Sequence, residues 1–396
     1  MHNSALYENP YLLERRFAII QTLEPARGNM MKGQDRKDIY YWKCDREYAF
    51  HGTSDYLREH GELEAGLGSV LSRRYGAGFS CLRPASEGQG NHRTFRASVD
   101  GREVFLRVED GREGDNYLAV EAEVTRRLAE LGLPVPKTIA YDCRRDEVPF
   151  AWQVMECLPY SDLNRLQKSC GVDWRSAAPG IGRAIARWQD VSTPGFGPFS
   201  ACAAERGELV ALHPSSEEYY RLNLDRHLGI LVDGGFFDAA KADRVRAAVD
   251  GHAAALRLER GVLVHKDLAA WNILGTEREA KAFIDWDDCI MGDSMDDLSL
   301  MGVTGDDAVT RMILESYAEV RPLASDAAER FWLCWLRNMV FKAVIRLKAG
   351  YFAKEGDDFF LVARGGDGSS LARLTHEKID QALCALEKGM GFDGLR

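Results

Sequence analysis

The sequence predicts an α+β protein of two lobes, a small β-rich lobe followed by a larger, mainly helical lobe, with an N-terminal extension ahead of both. The chain has 396 residues, which is too long for one compact module and long enough to bury a large core. Residues 104–108 alternate as a half-buried strand does, which places strands in the first part of the chain. We therefore expect an extension at residues 1–55, a β-rich lobe at 56–157 and a helical lobe at 158–396.

The extension is rich in aromatic and charged residues, for example at 39–44 and 48–51. These segments suit a pair of strands that packs on a lobe or caps a cleft, or a contact between subunits. Packing on a lobe is the favoured interpretation.

Two helices and one strand are predicted within the β-rich lobe. A helix is expected near residues 57–75, and residues 104–108 alternate as a half-buried strand does. Residues 120–131 carry apolar side chains at helical spacing and end at Gly132 and Pro134, which form a helix stop signal.

The most informative segment lies in the helical lobe. The apolar run at 261–264 predicts a strand that places His265 and Asp267 at its mouth, with Asn272 five residues beyond Asp267. A polar turn at 275–279 and a return strand to residue 284 then form a hairpin, which delivers Asp285 to the same end.

Asp267, Asn272 and Asp285 are the acceptors that phosphoryl transfer from a nucleotide needs. One carboxylate can serve as base for a substrate hydroxyl, and an amide oxygen with a second carboxylate can hold Mg²⁺. Each residue alone is more often part of a turn or a cap, and the complete set with its flanking strands is what makes the pattern specific. His265 is expected to hold the loop by hydrogen bonding, and to be neither metal ligand nor nucleophile.

These motifs resemble those of the aminoglycoside phosphotransferase and choline kinase family, the small-molecule branch of the protein-kinase-like fold. The resemblance covers roughly residues 56–345 and is carried by residues 265–274, by Ile284-Asp285-Trp286 and by residues 292–298. It implies that Asp267 is the catalytic base, that Asn272 and Asp285 hold Mg²⁺ and that Asp297 braces the loop. Two residues depart from the usual pattern, and they are Lys266 in place of Gly and Ser294 in place of Pro.

The resemblance also implies a nucleotide site for ATP, or alternatively GTP, in the β-rich lobe. Arg107 stands where the family carries a phosphate-binding cation, and Glu121 stands where its partner lies. Glu123 is close by, and a solvated helix charge is the alternative for Glu121. The remaining implied contacts come from a glycine-containing phosphate loop and from the backbone of the hinge between the lobes. For the loop, a plain hairpin turn is an equally good interpretation. These residues are Gly88, Gly90 and Asn91 in the loop, and Glu156, Cys157 and Leu158 in the hinge.

Composition restricts the partners. The formal net charge of −10 without a basic stripe disfavours nucleic acid. Nine scattered cysteines without a C-x-x-C pair favour a reduced, cytoplasmic protein. The sequence shows no apolar run long enough to span a membrane and no leader pattern, so neither a membrane location nor secretion is expected. The expected state is a monomer or homodimer.

The sequence thus predicts an ATP-dependent O-phosphotransferase that acts on a hydroxyl of a small polar molecule, with an aminoglycoside-like or other sugar-containing antibiotic favoured. The alternatives are a metabolic or biosynthetic kinase for a sugar, choline or homoserine-type alcohol, and a non-catalytic nucleotide-binding module. A protein kinase is disfavoured because Ala269 replaces a phosphate-contacting Lys. Lys266 either adds charge near the transferred group or faces solvent. Five carboxylates are candidate ammonium partners or surface charges, and they are Glu217, Glu218, Asp225, Asp287 and Asp288.

Overall fold

A five-stranded antiparallel sheet forms the first lobe of the computed structural model, which describes residues 35–46, 60–85, 92–110, 116–355 and 367–395. Its strands lie in the order β1-β2-β3-β5-β4. They are β1 Phe79–Pro84, β2 Arg93–Val99, β3 Arg102–Glu109, β4 Thr138–Asp142 and β5 Ala151–Glu156.

Strands β2 and β3 form a tight hairpin because Asp100 and Gly101 at its tip both adopt positive φ angles, 49° and 75°. Such angles suit a two-residue turn that matches the twist of the strands. One face of the sheet is apolar and buried, as at Phe95 and Leu106, and it packs in a core with Leu67 of the preceding helix.

The described residues of the extension and the first lobe contain three α-helices. They are α1 Trp42–Asp45, α2 His60–Tyr75 and α3 Tyr117–Glu130. Helix α3 carries Tyr117, Val120 and Leu128 into the larger hydrophobic core, to which the helices of the second lobe also contribute.

The second lobe is mainly helical. Its helices are α4 Leu163–Ser169, α5 Trp174–Trp188, α6 Ala201–Ala204, α7 Ser216–Arg221, α8 Leu224–Asp233, α9 Ala239–Gly251, α10 Asp296–Thr304, α11 Asp307–Val320, α12 Ala327–Lys348 and α13 Gly368–Lys388. The 22-residue helix α12 is buried along most of its length, which places it at the centre of this lobe.

Two small sheets are also present among the described residues. One has the order β11-β10-β6 and the other the order β8-β7-β12-β9. Their strands are β6 Ser161–Asp162, β7 Phe196–Phe199, β8 Ala211–His213, β9 Val262–Val264, β10 Ile273–Thr276, β11 Glu279–Phe283 and β12 Ile290–Gly292. The predicted strand before His265 and the predicted hairpin before Asp285 are therefore present, as β9 and as β10 with β11.

The described part of the extension packs on the helical lobe. Tyr41 stacks on Phe341 of α12 with ring centroids 4.6 Å apart, and Cys44 is fully buried. The strand expected at 39–44 is wrong, because the Asp45 carboxylate accepts hydrogen bonds from the backbone N–H groups of Tyr40 and Tyr41. These bonds close the segment into a turn that leads into α1. The second segment, 48–51, lies outside the described residues.

The architecture confirms the predicted α+β fold, with its β-rich lobe and its larger helical lobe. Among the described helices, none is both long enough and apolar enough to cross a membrane.

Candidate active site

The catalytic loop follows β9 and is fixed by a buried carboxylate. Asp297 of α10 accepts hydrogen bonds from the backbone N–H groups of His265 (2.8 Å) and Lys266 (3.1 Å). The indole N–H of Trp188 donates to the same carboxylate at 3.2 Å. Asp297 is fully buried, so it holds the loop from beneath, as the resemblance implies for this residue.

Asp267 and Asn272 face each other across this loop. The Asn272 Nδ2 group donates to the backbone carbonyl of Asp267 at 2.8 Å and lies 3.4 Å from its Oδ2 atom. On the other side, Lys342 Nζ of α12 lies 3.4 Å from Asp267 Oδ1. The carboxylate is therefore held between an amide and a cation, and Asp267 is still 9% exposed.

Lys266 matches neither interpretation of the sequence. It is only 1% exposed, and its Nζ atom contacts Asp296 (2.9 Å), the Tyr40 hydroxyl (3.0 Å) and Asn338 Oδ1 (3.1 Å). It is neither a solvent-facing lysine nor a charge at Asp267. Its φ of 71° lies in the left-handed region that favours glycine, and the buried ion pair gives a side chain a place there.

Backbone contacts tie the hairpin to the catalytic loop. The N–H of Ile284 donates to the carbonyl of Asn272 at 3.0 Å, and the Ile284 carbonyl lies 2.8 Å from His265 Nε2. His265 thus holds the loop by hydrogen bonding, as the sequence predicts. Asp285 follows immediately, with φ 70° and ψ 57°, a left-handed conformation that Asp and Asn tolerate better than most residues.

Arg107, Glu121 and Asp285 form a continuous ionic chain. Arg107 Nη1 lies 2.6 Å from Glu121 Oε2, and Arg107 Nη2 lies 2.9 Å from Asp285 Oδ1. The ion pair expected between Arg107 and Glu121 is present. Glu121 is 2% exposed, so it is not a solvated helix charge, whereas Glu123 pairs with Arg126 on its own helix.

A pair of residues that sequence reasoning missed lies beside this chain. His92 Nε2 lies 3.0 Å from Asp287 Oδ2, and His92 Nδ1 lies 3.3 Å from Glu109. Burial and Arg107 oppose protonation, yet the two carboxylates raise the pKa of His92 to about 10. Burial alone would raise the pKa of Asp287, but Arg107 and His92 hold it below its usual range. The signal in the sequence was the D-x-D spacing of Asp285 and Asp287.

Asn272 and Asp285 carry oxygen atoms of the kind that a hard divalent cation prefers. The ligand atoms of His92, Asp285 and Asp287 lie within 4.8 Å of one another, and His92 Nε2 is paired with Asp287. The Asn272 amide nitrogen is bonded to the Asp267 carbonyl, which leaves the amide oxygen as the acceptor atom. The Asp285 side chain is 39% exposed, so its carboxylate remains accessible.

The expected nucleotide contacts in the hinge lie at the end of β5. The N–H of Glu156 donates to the carbonyl of Lys137 at 2.9 Å, so this group is bonded within the lobe. Cys157 follows, and its Sγ atom lies 3.1 Å from Arg96. Cys157 and Leu158 are partly exposed at the junction with the second lobe. The loop residues Gly88, Gly90 and Asn91 lie outside the described residues.

The extension brings further charges to the site. Arg36 Nη1 lies 2.6 Å from Asp288 Oδ1, and the indole N–H of Trp42 donates to Asp288 Oδ2 at 3.2 Å. Burial lowers the pKa of Lys43, but the site carboxylates raise it above the ordinary value. Those carboxylates are Asp267, Asp285, Asp287 and Asp288. A sequence segment outside the motif region therefore contributes to the charge balance of the site.

Each of the five carboxylates considered as an ammonium partner has a partner within the chain. The innermost, Asp287 and Asp288, pair with His92 and Arg36 as described above. The contacts of the other three are Glu217 with Arg221 (3.1 Å), Glu218 with His213 (3.2 Å) and Asp225 with Arg246 (2.7 Å).

A β-rich lobe, a helical lobe, a braced catalytic loop and a hairpin that carries a carboxylate together define a kinase-like phosphotransferase fold. The comparison with protein families agrees, since the model of the family described as "Phosphotransferase enzyme family" matches residues 82–342. The chain belongs to this family. A comparison with curated protein sequences finds no match.

Solved structures share the fold at low sequence identity. Aminoglycoside phosphotransferase APH(4)-Ia is 18% identical with a TM-score of 0.57, over 81% of this chain and 98% of that one. A thermostable mutant of that enzyme, in a ternary complex with AMP-PNP and hygromycin B, is 18% identical with a TM-score of 0.56, over 80% and 97%. Macrolide 2'-phosphotransferase MphH from Brachybacterium faecium is 21% identical with a TM-score of 0.51, over 77% and 96%. These likenesses confirm the two-lobed fold.

Proposed function

We propose that this phosphotransferase moves the γ-phosphate of ATP to a hydroxyl group of a small polar molecule. The observation that carries the proposal is the link through Ile284, the residue before Asp285. Its backbone N–H and carbonyl bond Asn272 and His265 of the loop that also bears Asp267. This link supports the proposal that Asp267, Asn272 and Asp285 act at one site. A base and two oxygen ligands at one place are the requirements of phosphoryl transfer.

In the proposed reaction the acceptor oxygen attacks the γ-phosphorus and the bond from that phosphorus to the ADP oxygen breaks. Asp267 orients the hydroxyl and takes its proton, so that the products are a phosphomonoester and ADP. Arg107, aimed by Glu121, positions the phosphates. Positioning and electrostatic stabilisation supply most of the acceleration in such reactions.

We propose Asn272 and Asp285 as the residues that hold Mg²⁺. The ion, when bound, neutralises charge on the triphosphate. The accessible carboxylate of Asp285 and the uncommitted amide oxygen of Asn272 support this assignment. His92 pairs with Asp287 at 3.0 Å and is not part of this proposed ligand set.

The proposed donor site uses the hinge backbone at Glu156, Cys157 and Leu158, and Gly88, Gly90 and Asn91 remain proposed phosphate-binding residues outside the described part of the chain. ATP is the proposed donor and GTP the alternative, because backbone contacts to a purine edge do not depend on side-chain identity. The nine free cysteines support a cytoplasmic location.

For the acceptor we propose a sugar-containing compound, with an aminoglycoside-like or other sugar-containing antibiotic as the first candidate. Hygromycin B in a complex of a similar structure supports this class. The second candidate is a metabolic or biosynthetic alcohol, and it is favoured by the internal pairing of the five carboxylates that would otherwise bind ammonium groups. Expression in a sensitive bacterium separates the two. A raised inhibitory concentration for one drug class supports the first, and no change across a panel supports the second.

The chemistry itself is tested by ADP formation from Mg²⁺ and ATP with a library of hydroxyl compounds. Acceptor-dependent ADP formation is expected. A protein that binds ATP but transfers phosphate to no member of the library would instead be the non-catalytic nucleotide-binding module.

A further inference from the structure

Helix α12 presents a row of polar side chains to the catalytic loop. Asn338, Lys342 and Arg346 are spaced four residues apart, so they lie on one face of the helix. Asn338 contacts Lys266, and Lys342 contacts Asp267 at 3.4 Å. The row therefore leads from the base of the loop past the catalytic carboxylate to Arg346.

Arg346 is a buried cation without a carboxylate. It is 5% exposed, and its Nη1 atom donates to the Thr375 hydroxyl at 2.7 Å. No acidic group among the residues that the structure describes lies within ion-pair distance of it. Burial lowers the pKa of Arg346 to about 10. An uncompensated buried charge destabilises a fold, so a residue of this kind calls for an explanation outside folding.

Two lysines extend the positive charge. Lys342 is 7% exposed and pairs with Asp267 alone among the described carboxylates. Lys43 approaches from α1. Burial is the main cause that lowers the pKa of Lys342, and the charges of Arg346 and Lys43 lower it further. Lys342 thus contacts the Asp267 carboxylate directly, Lys43 interacts with it through charge, and Arg346 lies one turn further along α12.

The nucleotide phosphates have their own cation on the opposite side. Arg107 belongs to β3 of the first lobe and contacts Asp285, whereas Lys342 and Arg346 belong to the second lobe. The acceptor must place its hydroxyl at Asp267, so the cations of α12 lie where the rest of the acceptor molecule would be.

We propose that Lys342 and Arg346 form an acceptor subsite and that the acceptor carries an anionic group, a carboxylate or a phosphate ester, near the hydroxyl that is phosphorylated. This inference rests on the proposed function. Within the proposed class of sugar-containing acceptors, it favours anionic hydroxyl compounds, such as sugar acids or sugar phosphates, over cationic aminoglycosides, which the cations of α12 would repel.

The test uses acceptors that share a carbon frame and differ in charge. One series is glycerol, glycerate, glycerol 3-phosphate and serinol, and the other is glucose, glucuronate, glucose 6-phosphate and glucosamine. ADP formation by the full-length protein with Mg²⁺ and ATP gives kcat/KM for each. The anionic members should exceed the neutral and cationic members by about 10- to 100-fold, the range expected for charge-assisted hydrogen bonds. The carboxylate and phosphate arms separate the two kinds of anion.

Variants locate the effect. Arg346→Met should remove most of the preference for anions through the KM of the acceptor and leave the KM of ATP unchanged. Arg373→Met is the matched control, because Arg373 is exposed on the neighbouring helix α13, and it should retain the preference. Arg346→Met should also keep or raise the melting temperature, because it removes a buried unpaired charge, whereas a merely structural arginine would lose stability.

The outcomes are distinct. A preference for cationic acceptors, a preference unchanged in Arg346→Met, or an effect on the KM of ATP alone would overturn the subsite, while the phosphotransferase would stand. If no acceptor in either series reacts, glycerate, glycerol 3-phosphate and serinol are compared as stabilisers of the protein in thermal unfolding. Stabilisation by the anions that Arg346→Met abolishes supports the subsite, and equal stabilisation in both proteins overturns it. Failure of every hydroxyl compound beyond these series would count against the proposed function instead.

Discussion

The Asp297 carboxylate accepts a hydrogen bond from the backbone N–H of His265 at 2.8 Å, beneath the loop that presents Asp267. A second bond from the Lys266 N–H and a third from the Trp188 indole use the same side chain. The position of the proposed base thus depends on a residue thirty positions further along the chain that does not itself face the cleft.

Replacing Asp297 by Ala should therefore destabilise the protein and reduce its activity together. Two buried backbone donors and one indole would lose their acceptor, and each such loss costs about 1–3 kcal/mol. Urea denaturation should show a loss of at least about 2 kcal/mol. Asp306→Ala is the control, since it removes an exposed helix N-cap and should lower stability by about 1 kcal/mol with unchanged transfer per folded molecule. An Asp297→Ala protein of parental stability would contradict the bracing role.

Asp267→Asn should separate chemistry from binding. The amide keeps the shape of the side chain but cannot accept the hydroxyl proton, so turnover should fall by about 10²- to 10⁴-fold with little change in ATP affinity. Rapid-quench assays and calorimetry measure the two quantities. Asp190→Asn, at an exposed ion pair with Arg321, should behave as the parent. Equal turnover in Asp267→Asn and parent would remove the proposed base.

Asp285→Ala should weaken the binding of Mg²⁺ with ATP, because it removes a carboxylate oxygen proposed as metal ligand. Asp285→Asn is a useful companion, since Asn tolerates the left-handed backbone at this position (φ 70°). Both variants should show weaker Mg-ATP binding in calorimetry, with Ala at least as affected as Asn. Parental affinity in both would exclude Asp285 as a ligand.

The packing of the extension should depend on pH through His227. Its Nε2 lies 2.9 Å from Asp45 and its Nδ1 lies 3.1 Å from Arg337, a pattern that suits a neutral ring. Burial and Arg337 lower the pKa of His227 to about 4, although Asp45 opposes this. Because the folded pKa is below the unfolded value, the contribution is complete above about pH 6.5 and is lost as the pH falls toward 4.

Hydrogen exchange of residues 35–46 should accordingly quicken between pH 7 and pH 5, after correction for intrinsic rates. His227→Gln keeps one donor and one acceptor without a titrating proton, so this pH dependence should be much smaller in the variant. The same acceleration in parent and variant would assign the effect to another group.

Local patterns predicted the catalytic hairpin. The strands β9, β10 and β11 are short apolar runs separated by polar turns, which is the signal that a hairpin leaves in a sequence. The pair of Arg107 and Glu121 came from the family resemblance, because the apolar pattern alone does not show which charges of a strand and a helix meet.

Long-range contacts were beyond such reasoning. The pairing of His92 with Asp287 joins the two lobes, and Arg36 reaches Asp288 across 252 positions of sequence. The burial of Lys266 depends on Asp296 and Asn338 from two further helices. The helix at 42–45 arises from a carboxylate that bonds nearby backbone groups, and that competition with a strand is not visible in the apolar pattern.

A crystal structure with Mg²⁺ and AMP-PNP shows whether Asp267, Asn272 and Asp285 meet a metal-bound triphosphate. Mg²⁺ is expected about 2.0–2.1 Å from the Asn272 Oδ1 atom and an Asp285 carboxylate oxygen, with the γ-phosphate facing Asp267. Mg²⁺ held by other residues, or a nucleotide bound away from these three side chains, would contradict this expectation.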